Sequence, residues 1–378
     1  MASIANIAIL LIMAGCAVAQ YLKGGLVKSF LTLISALCAS FVALWWYEQA
    51  SVMVIKQEIL VDFAQPACFG MLFLISFAIL QTAAMAISKQ KIDFGDKPER
   101  IGRAVFGLLL GYVISGVLLI GVSMAPLPSE YPYPRFDGSR ADPKSPRRAL
   151  LNPDGFLGGF FGIISGGSVG GTQSFAVLHA GFINELSLNR LPISQNMKVL
   201  NEAGTITMPA KSVWPAPGGL KDTEGKLVSS KSGGDLIVAR VGFTGRMLSD
   251  GSLTPSQLRF QCKKIGDKPR LGGSAVSVYP IGYLQSAGQM KAVGPNEKIT
   301  LNAQNAQDGM VSMNFVCDVK KDYEPVAVGL KTSAIAEAPP MVTAEQAIKE
   351  TTPVSGGESG NTQQPAASQD ANVTPSSQ

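Results

Sequence analysis

Histidine is almost missing from this chain. His179 is the only one in 378 residues, and the cysteines are just Cys16, Cys38, Cys68, Cys262 and Cys317. There is no C-x-x-C pair, no His/Cys ligand cluster and no G-x-x-x-x-G-K-[ST] loop, so no metal, cofactor or nucleotide is expected. Charged residues are also scarce, at 16%, and unevenly spread. Residues 1–126 hold 8 Lys/Arg and 6 Asp/Glu, residues 127–334 hold 23 and 16, and residues 335–378 hold 1 and 5. With a mean hydropathy of +0.22, the chain is too apolar to be wholly soluble and too polar to be all membrane. It reads as a mosaic.

Charge is absent from four runs: Ser3–Leu22, Ser29–Tyr47, Ala64–Ile87 and Ala104–Ala125. Each is long enough as a helix to cross a hydrocarbon core, which takes about 17–25 residues. A helix satisfies its own backbone hydrogen bonds in lipid. Trp45, Trp46 and Tyr47 close the second run, where amphipathic rings favour the headgroup layer. Lys23 and Lys28 lie between the first two runs, and Lys89, Lys91, Lys97, Arg100 and Arg103 between the last two. This asymmetry puts those loops inside and both termini outside. Ala17-Val18-Ala19 has the small residues of a cleavage site, but no basic stretch precedes the first run, so it is read as a retained span.

Gly107, Gly111 and Ser115 recur at four-residue spacing on one helix face, as do Ser35, Ala39 and Ala43. In lipid such faces let helix backbones approach closely. Lys23-Gly24-Gly25 stands before the second run, and Glu99-Arg100-Ile101 leads to Phe106-Gly107 and Gly111 before and within the fourth. Residues 1–125 thereby resemble the membrane domain of the colicin V production protein (CvpA) family. Asn6, Glu99, Arg103 and Leu110 depart from the usual pattern of that family. The resemblance implies a bacterial inner-membrane protein of envelope upkeep and toxin export, with no catalytic activity attached. The residues agree on one point: the runs hold no ionisable group of the kind that marks a proton or ion path.

Residues 126–151 form a basic, Pro-rich linker, with Arg135, Arg140, Lys144, Arg147 and Arg148 as candidate headgroup contacts. Residues 152–232 are read as interfacial helices and a Gly-rich connection. Asn152-Pro153-Asp154 starts a short apolar helix, too short to span, and Phe175–Arg190 continues the collar; a re-entrant hairpin is the alternative. Gly166-Gly167-Ser168-Val169-Gly170 matches G-x-S-x-G, but a nucleophile elbow needs a strand before its serine. A helix is expected there instead, so the chain is not read as an enzyme. His179 is expected at a surface or interface.

From Gly233 the apolar period changes to two. Ile237, Ala239, Val241 and Phe243 alternate with Val238, Arg240 and Gly242, and similar runs surround Phe260 and Phe315. Residues 233–334 are therefore expected to form a small, sandwich-like all-β domain outside the membrane. Cys262 and Cys317 lie on inward-facing positions and are either a disulfide or two buried thiols. Lys263, Lys264, Lys268 and Arg270 form a basic cluster that faces acidic envelope polymer or lipid headgroups, or else is a solvated turn. Residues 335–378 have the composition of a disordered tail. The fold class is thus membrane α plus β: a four-helix transmembrane bundle, interfacial helices and an extracytoplasmic β-domain. The expected role is a non-enzymatic inner-membrane scaffold or accessory with envelope proteins, lipids or a second copy as partners and no nucleic acid. The alternative is an oligomeric channel or transport accessory subunit.

Overall fold

The computed structural model describes residues 2–58, 60–87, 95–136, 142–143, 145–167, 171–199, 204–286 and 288–347. Four long helices come first: α1 (Ala2–Lys23), α2 (Leu26–Lys56), α3 (Ala64–Ile87) and α4 (Asp96–Met124). All four are long and apolar enough to cross a membrane. α3 coincides with its apolar run, but α2 and α4 overrun theirs because helix propagation does not stop where lipid does. α2 continues nine residues past Tyr47, and α4 begins eight before Ala104.

α1 packs on α4 and α2 packs on α3 and α4. The small residues explain the first pairing. A Cβ placed on Gly107 would lie 2.6 Å from Ala17 Cα, and one on Gly111 would lie 2.5 Å from Met13 Cα. The Ser115 hydroxyl turns back to the Gly111 carbonyl at 2.8 Å, leaving the helix surface smooth. On α2, Ala36, Ala39 and Ala43 are fully buried in the bundle core with Leu44, Tyr47, Phe69 and Ile120.

The segment after α4 is not a free linker. Tyr133, Arg135, Phe136 and Ala149 are all buried, and Ala149 packs with Ala5, Ile9 and Leu119 of α1 and α4. Asn6 accepts a hydrogen bond from Leu150 N at 2.9 Å. α5 (Pro153–Gly166) then crosses the bundle; Asn152 precedes it in the left-handed region, with no side-chain cap bond. The expected amphipathic stretch Phe175–Arg190 breaks into α6 (Phe175–Leu178) and α7 (Phe182–Asn189), because Gly181 at φ +74° turns the chain between them.

The β-rich part begins earlier than Gly233. β1 (Ile206–Thr207) and β2 (Val213–Pro215) both pair with β4 (Asp235–Thr244). Their sheet runs on through β11 (Met310–Val319), β8 (Pro280–Ser286) and β9 (Gln289–Ala292) to β3 (Lys221–Asp222). A second sheet has the order β13 (Ala334–Glu337), β12 (Tyr323–Leu330), β6 (Leu258–Lys264), β7 (Val276–Val278). β5 (Ser252–Leu253) and β10 (Ile299–Thr300) form a small pair. The two larger sheets share one core: Val241, Phe243 and Phe315 of the first meet Phe260, Val328 and Leu330 of the second.

The alternation in β4 suggested one buried face, but both faces are covered. Val238 and Val316 pack under Trp214, Leu220, Leu284 and Met290 on the outer side. Arg240 is buried there too, its Nε on Asn314 Oδ1 at 2.9 Å. The tail expectation is corrected at its start: β13 and residues up to 347 pack on the sheets, with Val342 N on Val213 O at 3.0 Å and Val342 and Ala347 against the outer cluster. The rest of the expected tail, 348–378, lies outside the described residues.

Cys262 and Cys317 are free thiols. They sit in the shared core at 1% and 0% exposure, and the Cys262 thiol is directed at the Phe260 carbonyl at 3.8 Å. Burial pushes both thiols above their ordinary pKa, so they pack as small apolar groups.

Candidate functional site at the junction of bundle and sheets

Two places gather the chain's polar chemistry, one at each end of the bundle. At the end away from the sheets, Gly24 and Gly25 turn the chain from α1 into α2. Ser29 Oγ donates to Gln20 Oε1 at 2.9 Å across this turn. A Cβ on Gly25 would come 3.9 Å from Glu99 Oε1, and Gly102 faces Leu26 so closely that a Cβ there would overlap it. Glu99 is ion-paired with Arg103 one turn on, Arg100 is exposed, and Phe106 packs on Phe30 with ring centroids 5.3 Å apart. Lys23 ends α1 at this turn. The two short motifs, far apart in sequence, therefore lie together against one turn.

Residues 5–140 match the colicin V production protein family. This match covers the bundle and the start of the segment after it, and the resemblance carried by Lys23-Gly24-Gly25 and Glu99-Arg100 holds there. The colicin V production match stops short of the collar and the sheets. No curated protein and no solved structure matches the chain. A multi-pass membrane protein with a membrane-associated accessory role fits this family match and the four apolar helices.

The opposite end of the bundle holds a buried ionic network. Glu48 stands one residue past the Trp45-Trp46-Tyr47 group on α2, and its Oε1 lies 3.1 Å from His179 Nε2. His179 Nδ1 lies 3.1 Å from Glu185 Oε1 on α7, and the same oxygen is 2.6 Å from Arg259 Nη2 on β6. The His179, Glu185 and Arg259 side chains are at most 2% exposed, and Glu48 is partly open at 28%. Arg259 also donates to the Lys331 carbonyl at 2.5 Å. It lies across Gly329 on the neighbouring strand, where an added Cβ would be 2.8 Å from its guanidinium carbon.

Two acids and two bases thus balance, provided the imidazole is protonated. Burial alone would lower its pKa, but Glu48 and Glu185 on either side outweigh that and raise it to about 10. Phe175 and Phe182 pack on the ring, at centroid distances of 4.8 and 5.8 Å. His179 is therefore an interface residue and not a surface one.

A second cluster lies beside the first. Tyr133 Oη donates to Asp154 Oδ2 at 2.5 Å; Arg135 donates through Nη1 to Tyr133 Oη at 2.8 Å and through Nε to Asn184 Oδ1 at 2.7 Å. Burial and the Asp154 carboxylate both raise the Tyr133 phenol, which stays protonated. Arg135 is thus no headgroup contact: at 7% exposure it is committed to Asp154 and Asn184, because a buried guanidinium needs partners. Arg147 and Arg148 are exposed; Arg140 and Lys144 lie outside the described residues, as does Ser168. The basic cluster near 263–270 is corrected in part: Lys264 and Lys268 are exposed, but the other two are not free. Lys263 is buried with Nζ on the Pro269 and Gly272 carbonyls at 2.9 and 2.6 Å, and Arg270 pairs with Glu324 at 3.1 Å.

Between the two clusters runs a cleft of about 670 Å³, walled by Gly155, Gly159 and Gly162 of α5, by Arg135 and Asn184, and by His179. Among the described residues no group of three or more His, Cys, Asp or Glu side chains could hold a metal ion. Reading the sequence did not single out Glu48, Glu185, Arg259 or Tyr133, and took Asp154 only as part of a helix start. The available signal was the lone histidine, with Glu185 six residues on and Glu48 next to an interfacial aromatic group.

Proposed function

We propose that this protein is a non-enzymatic scaffold of the bacterial inner membrane, acting in envelope maintenance or export, with its β-rich part outside the cytoplasm as the partner-binding surface. The observation that carries this reading is the continuous chain Glu48, His179, Glu185, Arg259, which ties a transmembrane helix to the centre of a sheet through buried charges. Gln65 at the start of α3 adds a second tie, donating to Ser333 Oγ at 2.9 Å. Such a joint holds the outer surface at a fixed attitude to the bilayer, as a scaffold requires. The orientation is supported by Lys28, Lys97, Arg100 and Arg103, which lie at the end of the bundle away from the sheets.

A channel-accessory subunit would need a small-residue face such as that of Gly107 and Gly111 to be free for assembly with other chains. Both glycines are occupied within the chain by α1, which favours the scaffold. The test is complementation of a chromosomal deletion, scored by survival of envelope stress and by toxin export. A chain ending after residue 199 is expected to insert but not to complement. Full complementation by that chain would place the activity in the bundle and sink the scaffold reading.

A further inference from the structure

α5 starts inside the half of the bilayer that lies nearer the sheets. Tyr112 Oη donates to the Leu151 carbonyl at 3.0 Å, and a Cβ on Gly116 would meet the Pro153 carbonyl oxygen at 2.6 Å. The helix therefore begins against residues 112–116 of α4, eight to twelve residues before α4 ends at Met124, or about 12–18 Å along its axis. Ala149 and Leu150 lie deep as well: the first packs with Ile9 and Leu119, and the second donates from its backbone to Asn6 Oδ1 at 2.9 Å. From there α5 rises past Trp45, whose ring is 5.9 Å from that of Phe161, to Gly166 beside the Gly273 carbonyl. The chain thus dips into the bilayer after α4 and climbs out along α5.

The cleft of about 670 Å³ follows this climb, from Arg148 and Asn152 at its deep end to Gly273 at its upper end. Its floor is bare backbone: a Cβ placed on Gly159 or Gly162 would find nothing within 4 Å. Phe156 and Phe160, exposed at 43% and 36%, do not line it and meet lipid on another side of the helix. Polar groups line the cleft instead. Asn152 Oδ1 is enclosed and has no hydrogen-bond partner among the described residues; hydrocarbon cannot supply one, whereas water can. Arg135 is matched by Asp154 at 3.8 Å, and His179 lies between Glu48 and Glu185. Arg148 is exposed and has no ion pair among the described residues. The net field in the cleft is therefore that of an unmatched cation.

We propose that this cleft is a water-filled inlet, sunk into the half of the bilayer nearer the sheets, which admits small hydrophilic anions and draws them to Arg148. Glycine keeps the bore open, because any side chain at 159 or 162 would project into it. Water inside serves Asn152 and solvates the Arg148 guanidinium at depth. An acyl chain is the poorer occupant, since it would strip water from both groups. With its deep end about 12–18 Å down, the inlet leaves about half of a hydrocarbon core of about 30 Å beneath it. The inference stands apart from the scaffold reading, and it holds whichever side of the membrane the sheets face.

The test places single cysteines in the full chain, with Cys16, Cys38 and Cys68 replaced by alanine, in phosphatidylcholine vesicles with reagent on both sides. The probes are two membrane-impermeant methanethiosulfonates, one carrying a sulfonate and one a quaternary ammonium. Each rate is divided by that for a free thiol in solution, and the chain without the added cysteine gives the background. Gly159→Cys is expected to react with both probes, and faster with the sulfonate. Adding Arg148→Gln should lower the sulfonate-to-ammonium ratio about fivefold, as expected for one basic residue. Leu74→Cys, at a position 64% exposed on α3, should stay unmodified. Thermal unfolding checks that each variant is folded; if Gly159→Cys is not, Gly162→Cys takes its place. Failure of the folded cysteine variant to react with either probe would show a cleft filled by lipid or protein and overturn the proposal. Reaction at Leu74→Cys as fast as in the cleft would overturn it too. Equal rates for the two probes, or a ratio unmoved by Arg148→Gln, would overturn the assignment of anions to the site.

Discussion

His179 Nε2 and Glu48 Oε1 meet at 3.1 Å, joining a collar residue to a transmembrane helix. On its other side the same imidazole serves Glu185, which holds Arg259 of the sheet. Removing the ring leaves Glu48 without its cation and Glu185 with only one. His179→Ala should therefore destabilise the chain by about 3 kcal/mol, the low end for breaking a buried ion pair. Thermal unfolding in detergent, followed by the near-ultraviolet signal of the buried aromatics, measures this. Combining His179→Ala with Glu48→Gln should cost clearly less than the sum of the two single changes, because both remove the same contact.

The pH dependence has a definite sign. A folded-state pKa raised to about 10, against about 6.5 for a free imidazole, gives a contribution fully present below about pH 6.5. That contribution declines as the pH rises and is lost once it passes about 10. The unfolding midpoint should therefore fall between pH 7 and pH 10 more steeply in the wild type than in His179→Gln. Parallel pH profiles for the two proteins would show that His179 is not the group responsible.

How far these features could be read from the sequence depends on the range of the physics behind them. The four spans were legible because lipid imposes a local rule, about twenty uncharged residues, which Ser3–Leu22 and the other runs satisfy one by one. The two-residue period around Phe243 and Phe315 was legible for the same reason. The second buried face of β4 was not, because it is covered by Trp214 and Leu220 from before the expected boundary and by Val342 from the expected tail. The joint was hidden further still, as its four members come from positions 48, 179, 185 and 259 and none shares a local pattern. Arg135 was misread because its partners, Asp154 and Asn184, become neighbours only after α5 and α7 have packed.

The glycines of α4 should differ sharply in tolerance. Gly107 and Gly111 touch the α1 backbone, which cannot move aside, whereas a Cβ on Gly121 would only reach the Phe69 ring at 3.7 Å. Gly111→Leu should therefore separate α1 from α4 and lower stability by about 3 kcal/mol or more, while Gly121→Ala should stay within about 0.5 kcal/mol of wild type. Unfolding in detergent compares the two. Wild-type stability in Gly111→Leu would mean that the α1–α4 contact is not as close as the structure places it.

The thiols of Cys262 and Cys317 give the sharpest check on the core shared by the two sheets. Both are enclosed by apolar side chains, and burial holds both in the protonated form, which is a poor nucleophile. A membrane-permeant maleimide should therefore leave them unmodified in the native protein at neutral pH, even after hours. In denaturant both should react at once, with no reductant needed, in a chain whose Cys16, Cys38 and Cys68 are replaced by serine or alanine. A requirement for reductant would show that the two sheets are cross-linked in the cell, which places the β-rich part in an oxidising compartment. Rapid labelling of the native chain would instead mean that the sheets part readily. The joint at His179 would then be anchoring a loose domain rather than a rigid one.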